Sequence, residues 1–178
     1  AIHSDESSKQ SKIVEIWPGY YEGTIYGMAV DLGSTTIAAH LCDLQTGEVV
    51  ASSGTMNPQI RFGEDLMSRV SYSMMNSKGD EEMTSAVRAG MNELFSEVAK
   101  EANINTNLIM DAVFVCNPVM HHLFLGIDPF ELGQAPFALA TSNAISTKSS
   151  NLELTKMHSS SNVYLLPCIA GHVGADAA

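Results

Sequence analysis

Positive charge is scarce in this sequence. Lys and Arg together number 9 against 20 Asp and Glu, so the formal net charge is −11. Because nucleic acids and anionic lipid surfaces are themselves negative, this balance disfavours both as partners. No apolar run approaches the roughly 20 residues of a bilayer-spanning helix, and residues 1–11 lack the apolar core of a signal peptide. These absences predict a cytoplasmic protein that binds neither nucleic acid nor membrane.

Cysteine is also sparse. The three cysteines, Cys42, Cys116 and Cys168, lie far apart and form no C-x-x-C pair. An odd, dispersed set inside apolar stretches is typical of reduced, buried thiols in a cytosolic protein. The spacing disfavours a metal cluster built from these cysteines alone.

The amino end differs in composition from the rest of the chain. Residues 1–24 are predicted to be a linker that is flexible at its start, because the first 12 are rich in Ser, Asp and Lys. Residues 25–178 are predicted to form a single lobe, since an apolar fraction of 45% can supply a core. Its abrupt stop indicates truncation at the carboxyl end.

Hydrophobic patterning predicts an α/β fold with a mixed sheet. Residues 25–30, 36–44 and 49–56 have the composition of strands and are joined by short turns, which requires an antiparallel meander. Strands at residues 112–116 and 163–166 then alternate with helices. The order is therefore three antiparallel strands followed by alternating helices and strands.

Three helices are predicted between these strands. One carries Leu66 to Met74, and a longer one, capped by Asp80, carries a Met-rich stripe that we assign to core packing. The third starts at Asn117-Pro118, a capping side chain followed by proline. Residues 138–162 are rich in Ser, Thr and Asn, which predicts either a surface excursion or a small subdomain of weak strands.

The most informative motif is DLGSTT at residues 31–36, directly after the first predicted strand. Gly33 lets backbone N–H groups approach an anion closely, and Ser34, Thr35 and Thr36 add hydroxyl donors. Asp31 is placed to hold Mg²⁺ through water molecules. A plain β-turn is the alternative, because Asp and Gly are common in turns.

Three further residues are catalytic candidates. Asn117 ends a buried strand where ligands gather in α/β sheets, and it either caps the next helix or orients an attacking water. Asp176 follows Gly174 and either caps a helix or reaches a nucleotide cleft. Asp65 lies four residues before Arg69, so the two side chains share one face of a helix. A surface ion pair between them explains the presence of both residues.

The adjacent histidines His121 and His122 are about 100° apart on a helix, so they cannot easily face one metal. We assign both to packing and hydrogen bonding. His40 and His172 receive no special role.

Four stretches resemble known proteins. Residues 27–39, GMAVDLGSTTIAA, resemble the first phosphate loop of the ASKHA superfamily, which contains actin, heat-shock chaperones, hexokinases and acetate kinases. Three more resemble a narrower family: NPQIRFGEDLMSR at 57–69, CNPVMHHLFLGIDP at 116–129, and LLPCIAGHVGAD at 165–176. That family is the ATPase domain of reductive activators of corrinoid proteins, which resemble ferredoxins fused to an actin-like ATPase.

The resemblance implies the amino-terminal lobe of an actin-like, ribonuclease H-like ATPase domain that binds ATP and Mg²⁺. The activity it implies is the ATP-driven return of a Co(II) corrinoid protein to Co(I) in a cobalamin-dependent methyltransferase system. It also favours a functional role for Asp65. The family takes its electron from an iron–sulfur domain, but this chain departs from that pattern because it has no cysteine-rich cluster motif. The second phosphate loop of the superfamily is also missing, so we expect the chain to be part of an ATPase and inactive alone.

Two other functions stay open at this point. A non-catalytic module that docks a corrinoid protein would use its acidic surface against a basic partner patch. A small-metabolite kinase lobe of the same superfamily would keep the phosphate loop but would need a substrate pocket. A homodimer is compatible with either.

Overall fold

A computed structural model describes residues 2–5, 10–13 and 15–177. Within these ranges, eleven strands and α-helices follow one another, with short 3-10 turns between some of them. They are β1 (Ile2–Asp5), β2 (Gln10–Ile13), β3 (Tyr26–Leu32), β4 (Thr36–Asp43), β5 (Val49–Met56), α1 (Leu66–Met75), α2 (Gly79–Glu101), β6 (Ile109–Cys116), α3 (Pro118–Leu125), β7 (Ile145–Lys148) and β8 (Asn162–Leu165). None of the helices in these ranges combines the length and apolarity needed to cross a membrane.

Six strands form one mixed sheet in the order β5-β4-β3-β6-β8-β7. The predicted antiparallel meander of β3, β4 and β5 is confirmed, and so is the mixed α/β class. Strands β3, β6 and β8 run parallel, whereas β7 pairs antiparallel with β8 at the edge. Because parallel strands share a direction, the carboxyl ends of β3, β6 and β8 meet at one edge of the sheet.

The stretch predicted as a linker contains a short antiparallel pair, β1 with β2, as a separate two-stranded sheet. Between it and β3, Trp17 and Tyr21 stack their rings with centroids 4.2 Å apart. The Glu15 carboxylate contacts the ring of His158 in the segment before β8.

The core lies between the helices and one face of the sheet. Strand β3 buries Met28, Val30 and Leu32 on that face and leaves Ala29 and Asp31 exposed on the other. The predicted Met-rich stripe, Met83 to Ala102, is buried apart from Ala102, which follows α2 and is partly buried against the core, so its prediction as core packing is confirmed. The buried apolar residues of α2 are Met83, Ala86, Val87, Met91, Leu94, Phe95, Val98 and Ala99.

Two local predictions are wrong. Helix α2 begins at Gly79, and its cap position is Lys78 with no side-chain cap, so Asp80 lies inside the first turn. There its charge still suits the positive end of the helix dipole. Residues 138–162 form neither the surface excursion nor the separate subdomain that were predicted as alternatives, because β7 joins the main sheet and Leu152, Leu154 and Met157 belong to the common core.

Candidate functional site

The DLGSTT motif lies at the carboxyl end of β3, where the chain turns into β4. Leu32 and Ile37 form the last pair of the hairpin, so residues 33–36 make the turn. The Thr36 carbonyl oxygen packs against Gly33 so closely that a Cβ there would lie 2.5 Å from it. Glycine is therefore required for this turn to close.

The carbonyl groups of the turn face the protein interior. Asn57 Nδ2 donates to the Gly33 oxygen at 2.8 Å, and Arg69 Nη2 donates to the Ser34 oxygen. The Asn57 backbone N–H donates to the Thr35 oxygen at 2.8 Å. Asn57 and Arg69 are 1% and 0% exposed, so these contacts lie inside the protein.

The amide groups of the same turn point the other way. In a trans peptide the C=O and the following N–H have opposite directions, so inward Gly33 and Ser34 carbonyls turn the Ser34 and Thr35 N–H groups away from Asn57 and Arg69. Neither N–H donates to another atom of the described residues. Successive free amides of this kind form an anion-binding concavity.

Asp31 and the end of β6 lie beside this turn. The Asp31 side chain is exposed, and its strand position pairs with Val115, two residues before Asn117. Burial is the main reason that the pKa of the Cys116 thiol is raised, and the nearby Cys168, Asp176 and Asp31 raise it further. Both candidate carboxylates therefore lie near the carboxyl end of β6.

Asp176 reaches that position through a close backbone contact. Gly174 packs on the carbonyl oxygen of Cys116 and on the Cα of Asn117, with no room for a Cβ. The following 3-10 turn, Ala175–Ala177, contacts β6, and Asp176 is exposed on it. The structure thus brings Asp31, Asn117 and Asp176 to the same edge as the turn.

Asn117 caps α3, as predicted. Its Oδ1 accepts a hydrogen bond from the Met120 N–H at 3.0 Å, and Pro118 occupies the first turn. Its Nδ2 donates to no atom in the ranges that the structure covers. The cap uses only Oδ1 of the side-chain amide. Capping α3 and orienting a water molecule, the two roles predicted as alternatives for Asn117, would therefore use different atoms.

Asp65 caps α1 and is exposed. Its Oδ1 accepts from the Ser68 N–H at 2.7 Å, and this hydrogen bond is the main reason that its pKa is lowered. The predicted surface ion pair with Arg69 is wrong, because Arg69 turns inward and is fully buried. Burial lowers the pKa of the Arg69 guanidinium, and Asp65 opposes this effect.

Sequence reasoning missed Asn57 and Arg69 as contacts of the turn. Asn57 precedes Pro58 and accepts from the Gln59 N–H at 2.9 Å, so it starts a 3-10 turn as Asn117 starts α3. This Asn-Pro signal was visible in the sequence. Nothing comparable marks Arg69, because the turn carbonyl that it contacts, that of Ser34, lies 35 positions earlier in the sequence.

The two adjacent histidines differ. His122 follows the prediction, with Nδ1 2.8 Å from the Pro118 carbonyl oxygen and Nε2 accepting from the Ala140 N–H at 3.1 Å. His121 is packed as predicted, but the expected hydrogen bond is not found, since both ring nitrogens are buried without a partner among the described residues. Burial, followed by the charge of His122, lowers the pKa of His121 to about 4.

These observations define a class of protein: a mixed α/β lobe whose glycine turn presents, among the described residues, unpaired amides beside a carboxylate. A comparison with protein families identifies a narrower group within this class. Residues 26–178 match the family described as RACo middle region, and the chain belongs to that family.

A curated relative and a solved structure are similar over nearly the whole lobe. The corrinoid activation enzyme RamQ of Eubacterium limosum is 34% identical over 155 residues, which cover 87% of this chain and 26% of that protein. The structure of a reductive activator for corrinoid, iron-sulfur protein is 34% identical, with a TM-score of 0.83 over 87% of this chain and 24% of its own. The chain therefore spans about a quarter of the length of both.

Proposed function

We propose that this chain is the ATP-binding lobe of an ATP-dependent activator that returns a corrinoid protein from Co(II) to Co(I) in a methyltransferase system. The observation that carries the proposal is the pair of outward amides at Ser34 and Thr35, which donate to no atom of the residues that the structure describes. The two similar proteins, a corrinoid activation enzyme and a reductive activator for corrinoid, iron-sulfur protein, support the choice of target. The sheet order supports an actin-like, ribonuclease H-like lobe.

In this proposal the turn binds the polyphosphate of ATP. The Ser34 and Thr35 amides donate to phosphate oxygens, and the hydroxyls of Ser34, Thr35 and Thr36 add donors. Asp31 fits a role in Mg²⁺ binding through water, because it is exposed beside the turn and because Mg²⁺ commonly takes one or two carboxylates plus substrate phosphates.

Asn117 and Asp176 supply the remaining chemistry at this edge. The free Nδ2 of Asn117 is a donor that can orient a water molecule for attack on the terminal phosphate. Asp176 adds a carboxylate beside the same strand end, where it can accept a proton from that water. For Asp65 the proposal assigns a supporting role, through the helix cap that fixes Arg69.

The cysteines of this chain do not fit an iron–sulfur cluster. Cys116 and Cys168 are buried, and Cys42 lies on β4, remote in the chain from both. We derive no electron-transfer step from the described residues. In the proposed function, other segments therefore supply the electron and the second phosphate loop of the nucleotide site.

A titration with MgATP tests the proposal. We expect the ¹H–¹⁵N amide resonances of Ser34 and Thr35 to shift on addition of MgATP, and we expect Asp31→Asn to weaken binding by about tenfold. Asp43→Asn is the matched control, because Asp43 ends β4 in a turn at the opposite edge of the sheet. Unchanged Ser34 and Thr35 resonances in the wild-type chain at saturating MgATP would refute ATP binding here.

One observation favours a second candidate, a docking module for a corrinoid protein. The formal charge of −11 suits a basic partner surface and salt-sensitive association. Capture of a corrinoid protein that is unaffected by Asp31→Asn and by nucleotide would favour docking over ATP binding. A small-metabolite kinase lobe, a homodimer and a cytoplasmic location stay predictions of the sequence alone.

A further inference from the structure

Three consecutive carbonyls of the glycine turn are held by two residues from outside it. Asn57 holds those of Gly33 and Thr35, and Arg69 holds that of Ser34. We infer that Asn57 and Arg69 are positioning residues that aim the turn's amides at phosphate. This inference rests on the proposed function, because it assigns a cause to the geometry that the phosphate would meet.

The direction of each peptide plane decides what a ligand meets. If the Ser34 carbonyl turned outward, its oxygen would repel a phosphate and the Thr35 N–H would point into the protein. The Arg69 guanidinium opposes that rotation by donating to the oxygen from inside. Asn57 does the same for the preceding plane, so the Ser34 N–H is fixed as well.

The Arg69 side chain is itself held in place. Its Nε donates to the Gly63 oxygen at 3.0 Å, and its Nη1 lies 3.4 Å from Gln59 Oε1 and 3.2 Å from Met120 Sδ. Every one of these partners, and Ser34, is neutral. A buried cation is costly unless it is both hydrogen-bonded and paired with an opposite charge. Arg69 has the hydrogen bonds, but all of these partners are neutral, so this placement is hard to explain by stability alone.

The neutral surroundings have a second effect. Among the described residues, no carboxylate is hydrogen-bonded to the Arg69 guanidinium, so its positive charge lies directly behind the turn. Asp65, which caps the same helix at the surface, is the charged group that raises the pKa of Arg69 against the effect of burial. A polyphosphate outside the turn would therefore meet amide dipoles backed by a full charge.

The test compares MgATP affinity in the 178-residue chain with Arg69→Lys and Asn57→Asp. Lysine keeps the charge but cannot reach several carbonyls in one plane. Aspartate keeps the acceptor that caps residues 58–62 but loses the donor to Gly33. We expect each variant to bind MgATP at least about fivefold more weakly, and the resonances of Ser34 and Thr35 to shift before ligand is added.

Matched controls separate positioning from stability. Arg88→Lys alters another buried arginine, which donates to the Phe124 carbonyl on α3, and Asn105→Asp alters another capping asparagine. We expect both controls to bind MgATP within about twofold of wild type, although Arg88→Lys also lowers the thermal midpoint. If Arg69→Lys does not fold, Asn57→Asp carries the test.

Two failures are distinguishable. Wild-type binding together with unchanged affinity in Arg69→Lys or Asn57→Asp would overturn the inference and leave ATP binding standing. A wild-type chain that shows no response at Ser34 and Thr35 would overturn the proposed function, and the inference with it.

Discussion

Mild acid should destabilise this chain through His121. The side chain is 0% exposed, and its two ring nitrogens have no hydrogen-bond partner in the described part of the chain. Burial, followed by the neighbouring His122, lowers the pKa of His121 to about 4. The folded protein therefore holds this imidazole neutral at a pH where the unfolded chain would protonate it.

The size of the effect follows from proton linkage. An unfolded histidine has a pKa near 6.5, so between that value and about 4 the unfolded state binds more protons at this position. Stability contributed by neutral His121 is therefore present above pH 6.5 and is lost as the pH falls through this window. At pH 5 the expected loss is about 2 kcal/mol, because each pKa unit is worth about 1.4 kcal/mol.

Urea unfolding at about pH 7.5 and about pH 5 measures this loss, since most carboxylates are still ionised at both values. Between these two pH values, the free energy of unfolding of His121→Phe should fall by about 2 kcal/mol less than that of the wild type. His172→Phe is the control, because His172 is exposed and its ring contacts only Phe137 among the described aromatic rings. An equal loss in His121→Phe and wild type would refute the reasoning.

Three further predictions follow from single contacts. Phe114→Ala should cost about 3–5 kcal/mol in urea unfolding, because Phe114 is 0% exposed and its ring centroid lies 4.7 Å from that of Phe124; a loss below 1 kcal/mol would contradict it. Gly33→Ala should weaken MgATP binding by more than about tenfold, because the new Cβ meets the Thr36 oxygen. Asn117→Ala should lower the free energy of unfolding by about 1 kcal/mol, whereas Asn117→Asp, which keeps the cap acceptor, should not; equal losses would contradict the cap.

Local signals made much of the fold predictable. The short turns between β3, β4 and β5 leave room only for antiparallel pairing, and the Asn117-Pro118 pair marks the start of α3. The glycine turn was found by the same kind of signal, because a glycine after a buried strand permits a tight turn and a close backbone approach. These features depend on residues that are neighbours in sequence.

Contacts between distant segments were not predictable. Helical spacing put Asp65 and Arg69 on one face, but it could not show that the guanidinium passes inward to Ser34, 35 positions earlier. Strand β7 has an unremarkable sequence, ISTK, and forms because β8 offers it a free edge. Asp80 was misassigned because a glycine break fixes the start of a helix only to within a residue or two.

Two contacts, one at each end of β6, determine how far apart the chain enters and leaves this lobe. At its first residue, Ile109, the strand accepts the His158 N–H, and His158 contacts Glu15. At its last, Cys116, it supports Gly174. Eight extended residues cover roughly 23 Å, so the chain reaches the lobe at Glu15 and leaves it at Gly174 at opposite ends of this strand.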